Sequence, residues 1–350
     1  MIPGRSTWTL GAALVVVLCA AGCGKNAAFE AEKGGPREEQ VRFPNGEVTL
    51  AGTLVLPAGT GKHPGVVLFH GSGPQARDLF MARWFAGEGI AALAYDKRGV
   101  GESTGNFKKV PFQALCGDGL AGIALLKSRA EIDSTRLGVW GLSQGGWLGP
   151  LAASKSADVA WVIAVSGPGV SPGEQMIFYY AEELRAKGLS ESDVREASEL
   201  RRKVWTYAES GVGYESAQAD LERARAKHWY ADVKAQQDDL FGLLLTPEEQ
   251  AKPGAAGYRW FRQEANYDPV MALKALRVPA LFLFGDEDRL VPVAESVAVI
   301  RRVEAEGGKT NFTIRVFPHV DHAMFRTTSG DLEPEYLATM RAWLKERVRK

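Results

Sequence analysis

The sequence predicts an α/β fold in which a mostly parallel central sheet follows a β-hairpin and is interrupted by a helical insertion. Continuous apolar runs alternate with helix-favouring segments, as expected for parallel strands buried on both faces. Asn45-Gly46, a frequent hairpin turn, lies between two strand-like runs within residues 41–56. Residues 168–265 are charged and helix-favouring and contain no strand-like run, so they interrupt the alternation.

The apolar runs give the expected order of the elements. The hairpin precedes the strand GVVLFH (65–70), a helix at 78–88, the strand IAALAYD (90–96) and an amphipathic helix at 112–129. The strand RLGVWGLS (136–143) then leads into a helix at 144–154, and VAWVIAVSG (159–167) follows. After the insertion come ALFLFGDED (280–288), a helix at 293–306, FTIRVF (312–317) and a closing helix from 333. We therefore expect a core of residues 41–167 and 266–350 and a helical cap of residues 168–265.

Composition and charge argue against several classes of partner. The 350 residues have a formal net charge of zero and no long basic run, which argues against nucleic acid binding. The five His include no H-E-x-x-H pattern, and the three Cys do not form a zinc or disulfide framework. We expect neither a bound metal nor an organic cofactor.

The N-terminus resembles a bacterial lipoprotein signal. Arg5 precedes a short apolar run at 10–18, and LCAAGC then ends at Cys23. The resemblance implies a signal peptide of residues 1–22, lipidation of Cys23 and a polar tether of residues 23–40. Gly24 carries no Asp-type retention signal, so the expected location is the cell envelope, at the outer membrane, with the lipid as the membrane contact. The alternative is an ordinary secretory signal cut near Gly22 or Gly24.

The segment VWGLSQGG (139–146) carries the most specific chemical signal. Ser143 lies between Gly141 and Gly145, where an apolar strand ends and a helix begins. This strand–turn–helix context predicts a tight turn that exposes the serine hydroxyl. A serine hydroxyl becomes a useful nucleophile only with a base, an acid that orients the base, and donors for the oxyanion.

Further motifs in the expected order make residues 40–350 resemble the α/β-hydrolase superfamily. HGSGP (70–74) follows the first apolar strand and YDKRGVGES (95–103) the second. GLSQGG (141–146) matches the nucleophile turn of that superfamily, GDEDRLVP (285–292) its acid segment and FPHVDHAMF (317–325) its histidine loop. The resemblance implies an α/β-hydrolase fold whose insertion covers the active site.

The resemblance also implies the catalytic roles. Ser143 is the expected nucleophile, His322 the expected base and Asp288 the expected acid, in the chain order typical of this fold. His319 is the rival for the base because it lies closer to the strand end. Asp286 and Glu287, beside Asp288, are the expected surface carboxylates.

The oxyanion is expected to be held by two backbone N–H groups, those of Ser72 and Gln144. His70 is expected to be structural and to bond within its own loop. Asp96 and Arg98 are interpreted as partners that fix a loop, with substrate binding by Arg98 as an alternative.

Other side chains have a structural interpretation beside a functional one. Asp118 is interpreted as a solvated or loop-bonding charge. The aromatic side chains of the insertion either form a roof over an apolar acyl pocket or simply dock amphipathic helices on the sheet. They include Trp205, Tyr207, Trp229, Tyr230, Phe241, Trp260 and Phe261.

The expected activity is hydrolysis of carboxylic esters through an acyl-enzyme on Ser143. The expected substrate is a small-molecule ester or a short peptide. A serine peptidase, a thioesterase or an acyltransferase would use the same residues, although Leu142 and Gln144 beside the serine favour esters. A non-catalytic envelope lipoprotein that binds a ligand is the alternative of a different class.

Overall fold

The computed structural model describes residues 35–108, 110–236, 246, 248–249, 267–308 and 311–348. The expected signal peptide, Cys23 and most of the expected tether lie outside these residues. The strands are β1 (Arg37–Asn45), β2 (Val48–Leu56), β3 (His63–Phe69), β4 (Ala91–Tyr95), β5 (Ile132–Leu142), β6 (Trp161–Val165), β7 (Ala280–Gly285) and β8 (Phe312–Phe317).

The helices of the described residues fall into a core set and a cap set. The core helices are α1 (Leu79–Gly87), α2 (Phe112–Lys127), α3 (Gln144–Lys155), α8 (Pro269–Ala275), α9 (Val293–Glu306) and α10 (Pro334–Arg347). The cap helices are α4 (Pro172–Ala186), α5 (Glu191–Ser210), α6 (Tyr214–Ala224) and α7 (Tyr230–Ala235). None of the described helices is both long and apolar enough to cross a membrane.

The described strands form one sheet in the order β1-β2-β4-β3-β5-β6-β7-β8. β1 pairs antiparallel with β2 and β2 antiparallel with β4, while the remaining pairs are parallel. In the register of the central strands, Phe69 lies beside Gly141 and Leu142 beside Val165. The loops that follow these parallel strands therefore meet at one edge of the sheet, where open α/β sheets bind ligands.

Helices cover both faces of the sheet, which explains the uninterrupted apolar strands. Alternate residues of β3 point to opposite faces: Val67 packs into the cluster that includes α2, α3, α8 and α9, and Val66 into the cluster that includes α1 and α10. This arrangement of strands and helices is that of the α/β-hydrolase fold expected from the motifs.

Two strands begin four residues earlier than expected. β1 begins at Arg37, four residues before the expected strand, because Arg37 already pairs with Leu56 across the hairpin. The last residues of the expected tether are therefore part of the sheet. β5 begins at Ile132, which pairs with His63, although the expected strand started at Arg136. In both cases pairing with a neighbouring strand extends polar sequence that lacks a strand pattern of its own.

Candidate active site

Ser143 lies on a strained turn between β5 and α3. Its φ of 56° and ψ of −115° place it in a backbone region that residues with side chains rarely adopt. Such a conformation costs about 1–3 kcal/mol and persists only where its surroundings impose it. Here the Ser143 amide donates to Val165 O at 2.9 Å, and the Gly146 amide donates to Ser143 O at 2.7 Å. This backbone conformation places Ser143 at the edge of the sheet where β5 ends.

Three glycines allow this turn to pack against the strands. A Cβ on Gly141 would lie 2.3 Å from Gly145 O, and one on Gly145 would lie 2.8 Å from Phe69 O. A Cβ on Gly146 would lie 2.3 Å from the Cα of Gly167. Each close neighbour is backbone, which cannot move aside as a flexible side chain does. The glycines of GLSQGG are therefore required by close packing.

Asp288 and His322 form a buried pair on the loops after β7 and β8. His322 Nδ1 donates to Asp288 Oδ2 at 2.8 Å, and the two side chains are 7% and 0% exposed. The second carboxylate oxygen accepts from the amides of Leu290 and Val291 at 2.7 and 2.9 Å. These bonds fix the carboxylate, which in turn fixes the ring and leaves His322 Nε2 as the free nitrogen.

His322 and Ser143 line the same cavity. Within the described residues, His322 Nε2 is buried and has no hydrogen-bond partner, so the bond from the serine hydroxyl is not formed. Catalytic hydrogen bonds are often open in the absence of substrate and tighten in the complex. The structure thus brings the expected nucleophile and base to one cavity without closing the contact between them.

Ser166 holds the histidine loop and was missed by the sequence analysis. It follows β6 with a φ of 47°, and its buried hydroxyl donates to His322 O at 2.8 Å. Its amide donates to Leu283 O at 2.7 Å, which ties the loop to β7. A polar residue that directly ends an apolar strand was the available signal.

His319 and the carboxylates beside Asp288 lie outside the cavity. The His319 side chain is 67% exposed, and its Nδ1 lies 2.9 Å from Glu287 Oε1, a hydrogen bond that raises the pKa of His319. Asp286 accepts from the His319 amide at 2.6 Å. These three residues lie at the surface and join the loops after β7 and β8. Asp286 and Glu287 are therefore surface carboxylates, as expected.

The two expected oxyanion donors lie at the ends of neighbouring strands. Within the described residues, neither the Ser72 amide nor the Gln144 amide donates to a protein acceptor. The loop that carries Ser72 is clamped by Gln75, whose Oε1 accepts from the Gly71 amide at 2.9 Å and whose Nε2 donates to Ser72 O at 3.3 Å. Gln144 begins α3, so the positive end of the helix dipole adds to its amide.

Lys97 is a further polar residue that the sequence analysis did not single out. It lies two residues after the end of the buried strand β4, next to Asp96, and is only 3% exposed. Its ammonium donates to Gly71 O at 2.7 Å and to Gln144 Oε1 at 2.8 Å. Burial lowers the pKa of Lys97 to about 7, and the charge of Asp118 opposes that shift.

His70 has a different partner from the expected one. Its Nε2 donates to Tyr95 O at 2.5 Å, at the end of β4, so it joins two strands and does not bond within its own loop. Burial, together with the charge of Lys97, lowers the pKa of His70 to about 3. The residue is structural, as expected.

Asp96 and Arg98, which follow β4, also fix loops. They pair with other residues and not with each other. Arg77 forms two hydrogen bonds from its side chain to Asp96, at 3.0 and 2.7 Å. Arg98 binds both oxygens of Asp118 at 2.7 and 2.6 Å, and Asn45 Nδ2 donates to the same carboxylate at 2.7 Å. Asp118 is 1% exposed, so the interpretation as a solvated charge is wrong and the loop-bonding one fits. Arg98 does not line the cavity that holds Ser143.

The cavity beside Ser143 has a volume of about 540 Å³ and mainly apolar walls. Gly71, Ser72 and Gln75 form one side of it. Gln175 and Met176 of the cap also reach it, and Gln175 Nε2 donates to Leu290 O. The apolar and aromatic residues that line it include Phe80, Met81, Trp140, Leu142, Trp147, Met176, Leu290, Met324, Phe325, Leu332 and Tyr336.

The described aromatic residues of the insertion do not form a roof over this cavity. Trp205, Tyr207 and Trp229 are buried in a separate apolar cluster of the cap, and Tyr230 packs against it. Within the described residues, the members of this cluster all belong to the cap and none to the sheet. Four helices joined in sequence can bury their apolar faces against one another. Phe241, Trp260 and Phe261 lie outside the described residues.

Among the residues that the structure describes, no group of three or more His, Cys, Asp or Glu side chains is placed to hold a metal ion. The polar side chains that line the cavity are those of Ser72, Gln75, Asp78, Ser143, Gln175, His322 and Tyr336.

A sequence profile of the alpha/beta hydrolase family matches residues 66–334, more than half of the chain. The chain belongs to the alpha/beta hydrolase family. The match extends from β3 to the start of α10 and so includes every motif of the cavity described above.

The sequence is similar to those of two bacterial proteins. It is 26% identical to Esterase EstD of Thermotoga maritima over 298 residues, 82% of this chain and 61% of the relative. It is 32% identical to the quorum-quenching protein AidA of Acinetobacter baumannii over 258 residues, 72% of this chain and 79% of that protein. The chain thus matches less than two thirds of the length of EstD.

Solved structures support the fold. The Pyrococcus furiosus esterase Pf2001 superimposes with a TM-score of 0.55 and 18% identity over 90% of this chain and 92% of its own. The Pyrococcus horikoshii acylaminoacyl peptidase gives a TM-score of 0.56 and 16% identity over 90% of this chain and 42% of its own. At these identities the likeness concerns the hydrolase fold alone.

Proposed function

We propose that the protein is a serine hydrolase that cleaves carboxylic esters through an acyl-enzyme on Ser143. The observation that carries the proposal is the position of the Asp288–His322 pair, whose free Nε2 lies at the cavity that Ser143 also lines. The strained turn at Ser143 supports it, because backbone strain of this kind is retained where a site requires it. The esterase names among the relatives favour esters over amides.

In the proposed reaction, His322 Nε2 takes the proton of Ser143 as the serine oxygen attacks the ester carbonyl. The amides of Ser72 and Gln144 hold the oxyanion that develops. His322 then protonates the leaving alcohol, and a water molecule deprotonated by the same nitrogen releases the acid. Asp288 stabilises the imidazolium in both steps and keeps Nδ1 protonated.

The cavity favours an uncharged, apolar substrate. Among its described lining residues there is no Lys or Arg, and Asp78 is the one carboxylate. Asp78 caps α1 by accepting from the Met81 amide at 3.0 Å, and burial raises the pKa of its carboxyl group. A substrate with an anionic acyl chain would find no cation there, whereas an alkyl or aryl chain would contact apolar walls.

The first experiment uses residues 24–350 without lipid and a fluorophosphonate probe, with Ser143→Ala as the matched control. We expect the wild type to be labelled and the variant to remain unlabelled, with turnover of p-nitrophenyl esters lower by about 10⁶-fold. Esters of increasing chain length, a hemisuccinate ester, a thioester and an aminoacyl anilide then define the leaving group and the acyl group.

Three results would contradict the proposal. Turnover retained in Ser143→Ala would remove this serine from the mechanism. A folded wild type that is neither labelled nor active would favour the ligand-binding lipoprotein. Faster cleavage of the anilide than of every ester would replace the esterase assignment by a peptidase on the same residues.

We also propose that the protein is exported and anchored in the cell envelope by lipid on Cys23. The lipoprotein-like LCAAGC sequence supports this assignment. Labelled palmitate should enter the wild type but not Cys23→Ser, and the wild type should partition into detergent. Efficient export of an unlabelled wild type would favour an ordinary secretory signal.

A further inference from the structure

The buried ammonium of Lys97 joins the two segments that carry the expected oxyanion donors. It donates to Gly71 O at 2.7 Å, and Gly71 directly precedes Ser72. It also donates to the side chain of Gln144 at 2.8 Å. The Lys97 amide in addition donates to Gln75 O at 3.1 Å, and Gln75 is the residue that clamps the Ser72 loop. Lys97, just beyond the end of β4, therefore contacts both segments that carry the expected oxyanion donors.

The contact with Gly71 also affects the donor strength of Ser72. The Gly71 carbonyl and the Ser72 N–H belong to one peptide unit, whose electrons are delocalised over oxygen, carbon and nitrogen. In its protonated form, Lys97 draws electron density toward the carbonyl oxygen to which it donates. The N–H at the other end of the unit becomes more acidic and a stronger donor, because hydrogen bonds in series polarise one another.

The desolvation of Lys97 is not offset by an ion pair within the described residues. Within the described residues no carboxylate forms an ion pair with Lys97, since Asp96 is bound by Arg77 and Asp118 by Arg98. Besides its two oxygen acceptors, the ammonium lies 5.7 Å from the centre of the Phe107 ring. A buried cation with these partners still carries a desolvation penalty that an apolar side chain would avoid. Groups that weaken the fold but serve the site are a frequent compromise in enzymes.

We propose that Lys97 is a positioning residue for the oxyanion site, which fixes the Ser72 and Gln144 amides relative to each other and polarises the Ser72 N–H. It acts through these two amides and does not touch the substrate. The inference rests on the proposed function and deepens it.

The test compares Lys97→Met, which keeps an unbranched side chain one atom shorter and removes its donors, with the wild type and Ser143→Ala. We expect kcat for the best ester to fall by about 10- to 100-fold, less than or equal to the loss of one direct oxyanion donor, with KM nearly unchanged. The melting temperature should stay the same or rise. An alkyl boronic acid, which forms a tetrahedral adduct on the serine, should lose affinity by the same factor as kcat.

A purely structural lysine gives a different set of results. The melting temperature would then fall, and the boronate affinity would follow KM and not kcat. Either that pattern or a kcat within threefold of the wild type overturns the inference while Ser143→Ala still removes activity. Activity retained in Ser143→Ala would instead overturn the proposed function, and the role of Lys97 with it.

A second variant covers the case in which Lys97→Met does not fold. Gln144→Leu keeps the backbone amide and removes the side-chain acceptor of Lys97. We expect a smaller decrease in kcat and in boronate affinity, with KM unchanged. If both variants fold, their effects on kcat should be less than multiplicative, because both act on one network. An unchanged kcat in Gln144→Leu, or multiplicative effects, would contradict the shared network.

Discussion

Asp288 Oδ2 lies 2.8 Å from His322 Nδ1, although the two residues are 34 positions apart in the chain and belong to different loops. The contact exists because β7 and β8 are neighbours and end at the same edge of the sheet. The carboxylate is held by two backbone amides and is fully buried, so it can neither rotate nor exchange its partner for water.

Asp288→Asn should lower kcat by about 10⁴-fold while the fold is retained. The amide group can hold the ring only in the wrong tautomer, so Nε2 can no longer accept the serine proton. Asp286→Asn, in the same loop, is the matched control because its Oδ1 still accepts from the His319 amide. Ester turnover measures both effects, and equal losses would argue against Asp288 as the acid.

His322→Ala should abolish turnover, whereas His319→Ala should leave most of it. His322 lines the cavity, while the His319 side chain is exposed and bound to Glu287. Steady-state rates with one ester, measured on both variants, show which histidine is the catalytic base. The reverse order of the two losses would move the base to His319.

Arg98→Met should destabilise the protein by about 3–5 kcal/mol, because it leaves the buried Asp118 carboxylate without its guanidinium partner. Arg42→Met breaks the exposed pair with Glu102 and should cost less than about 1 kcal/mol. Urea unfolding gives both free energies. Similar costs for the two variants would mean that burial does not determine the strength of the Arg98–Asp118 pair.

Gly146→Ala should destabilise the serine turn by about 1–3 kcal/mol and slow ester turnover, because its Cβ would meet the backbone of Gly167. Gly87→Ala is the control: this glycine ends α1 and has no atom within 4 Å of an added Cβ. It should be neutral or stabilising by up to about 1 kcal/mol. Thermal unfolding with the ester assay compares them, and a neutral Gly146→Ala would contradict the required close packing.

His70 should make the free energy of unfolding depend on pH in the acid range. Its pKa is lowered to about 3 in the folded state, so below the ordinary His pKa of about 6.5 the unfolded chain binds the extra proton. Its contribution to stability is therefore complete above about pH 6.5 and is lost as the pH falls toward 3. Between about pH 3 and 6.5, the free energy of unfolding of His70→Gln should change less with pH than that of the wild type. Unfolding curves recorded at several pH values measure this.

The control for this effect is His228→Gln, a substitution at an exposed cap residue. It should leave the pH dependence close to that of the wild type. An unchanged slope in His70→Gln would show that other groups account for the loss of stability in acid.

Local sequence was sufficient to predict the order of the elements and the serine turn. Apolar runs of strand length, separated by helical segments, predict buried parallel strands because a sheet covered on both faces needs no polar residues. The glycine pattern around Ser143 could be recognised locally, although two of its glycines are required by distant residues: Gly145 packs against Phe69 and Gly146 against Gly167.

Strand ends were harder to predict, because pairing extends strands into polar sequence. Arg37 belongs to β1 through its register with Leu56, and Ile132 belongs to β5 through His63. The hairpin itself was predictable from Asn45-Gly46, where Gly46 adopts a φ of 60° that favours glycine.

The sequence by itself determined which residue types were available at the edge of the sheet, and the tertiary structure decided which of them meet. His319 and His322 are three residues apart, but only the loop geometry turns one to Glu287 at the surface and the other to Asp288 in the interior. Lys97 acquires its partners because β3, β4 and β5 lie side by side, and the ends of three strands cannot be read from any one of them. Hydrogen bonds and burial depend on distances in space, whereas local patterns specify only the element that carries each side chain.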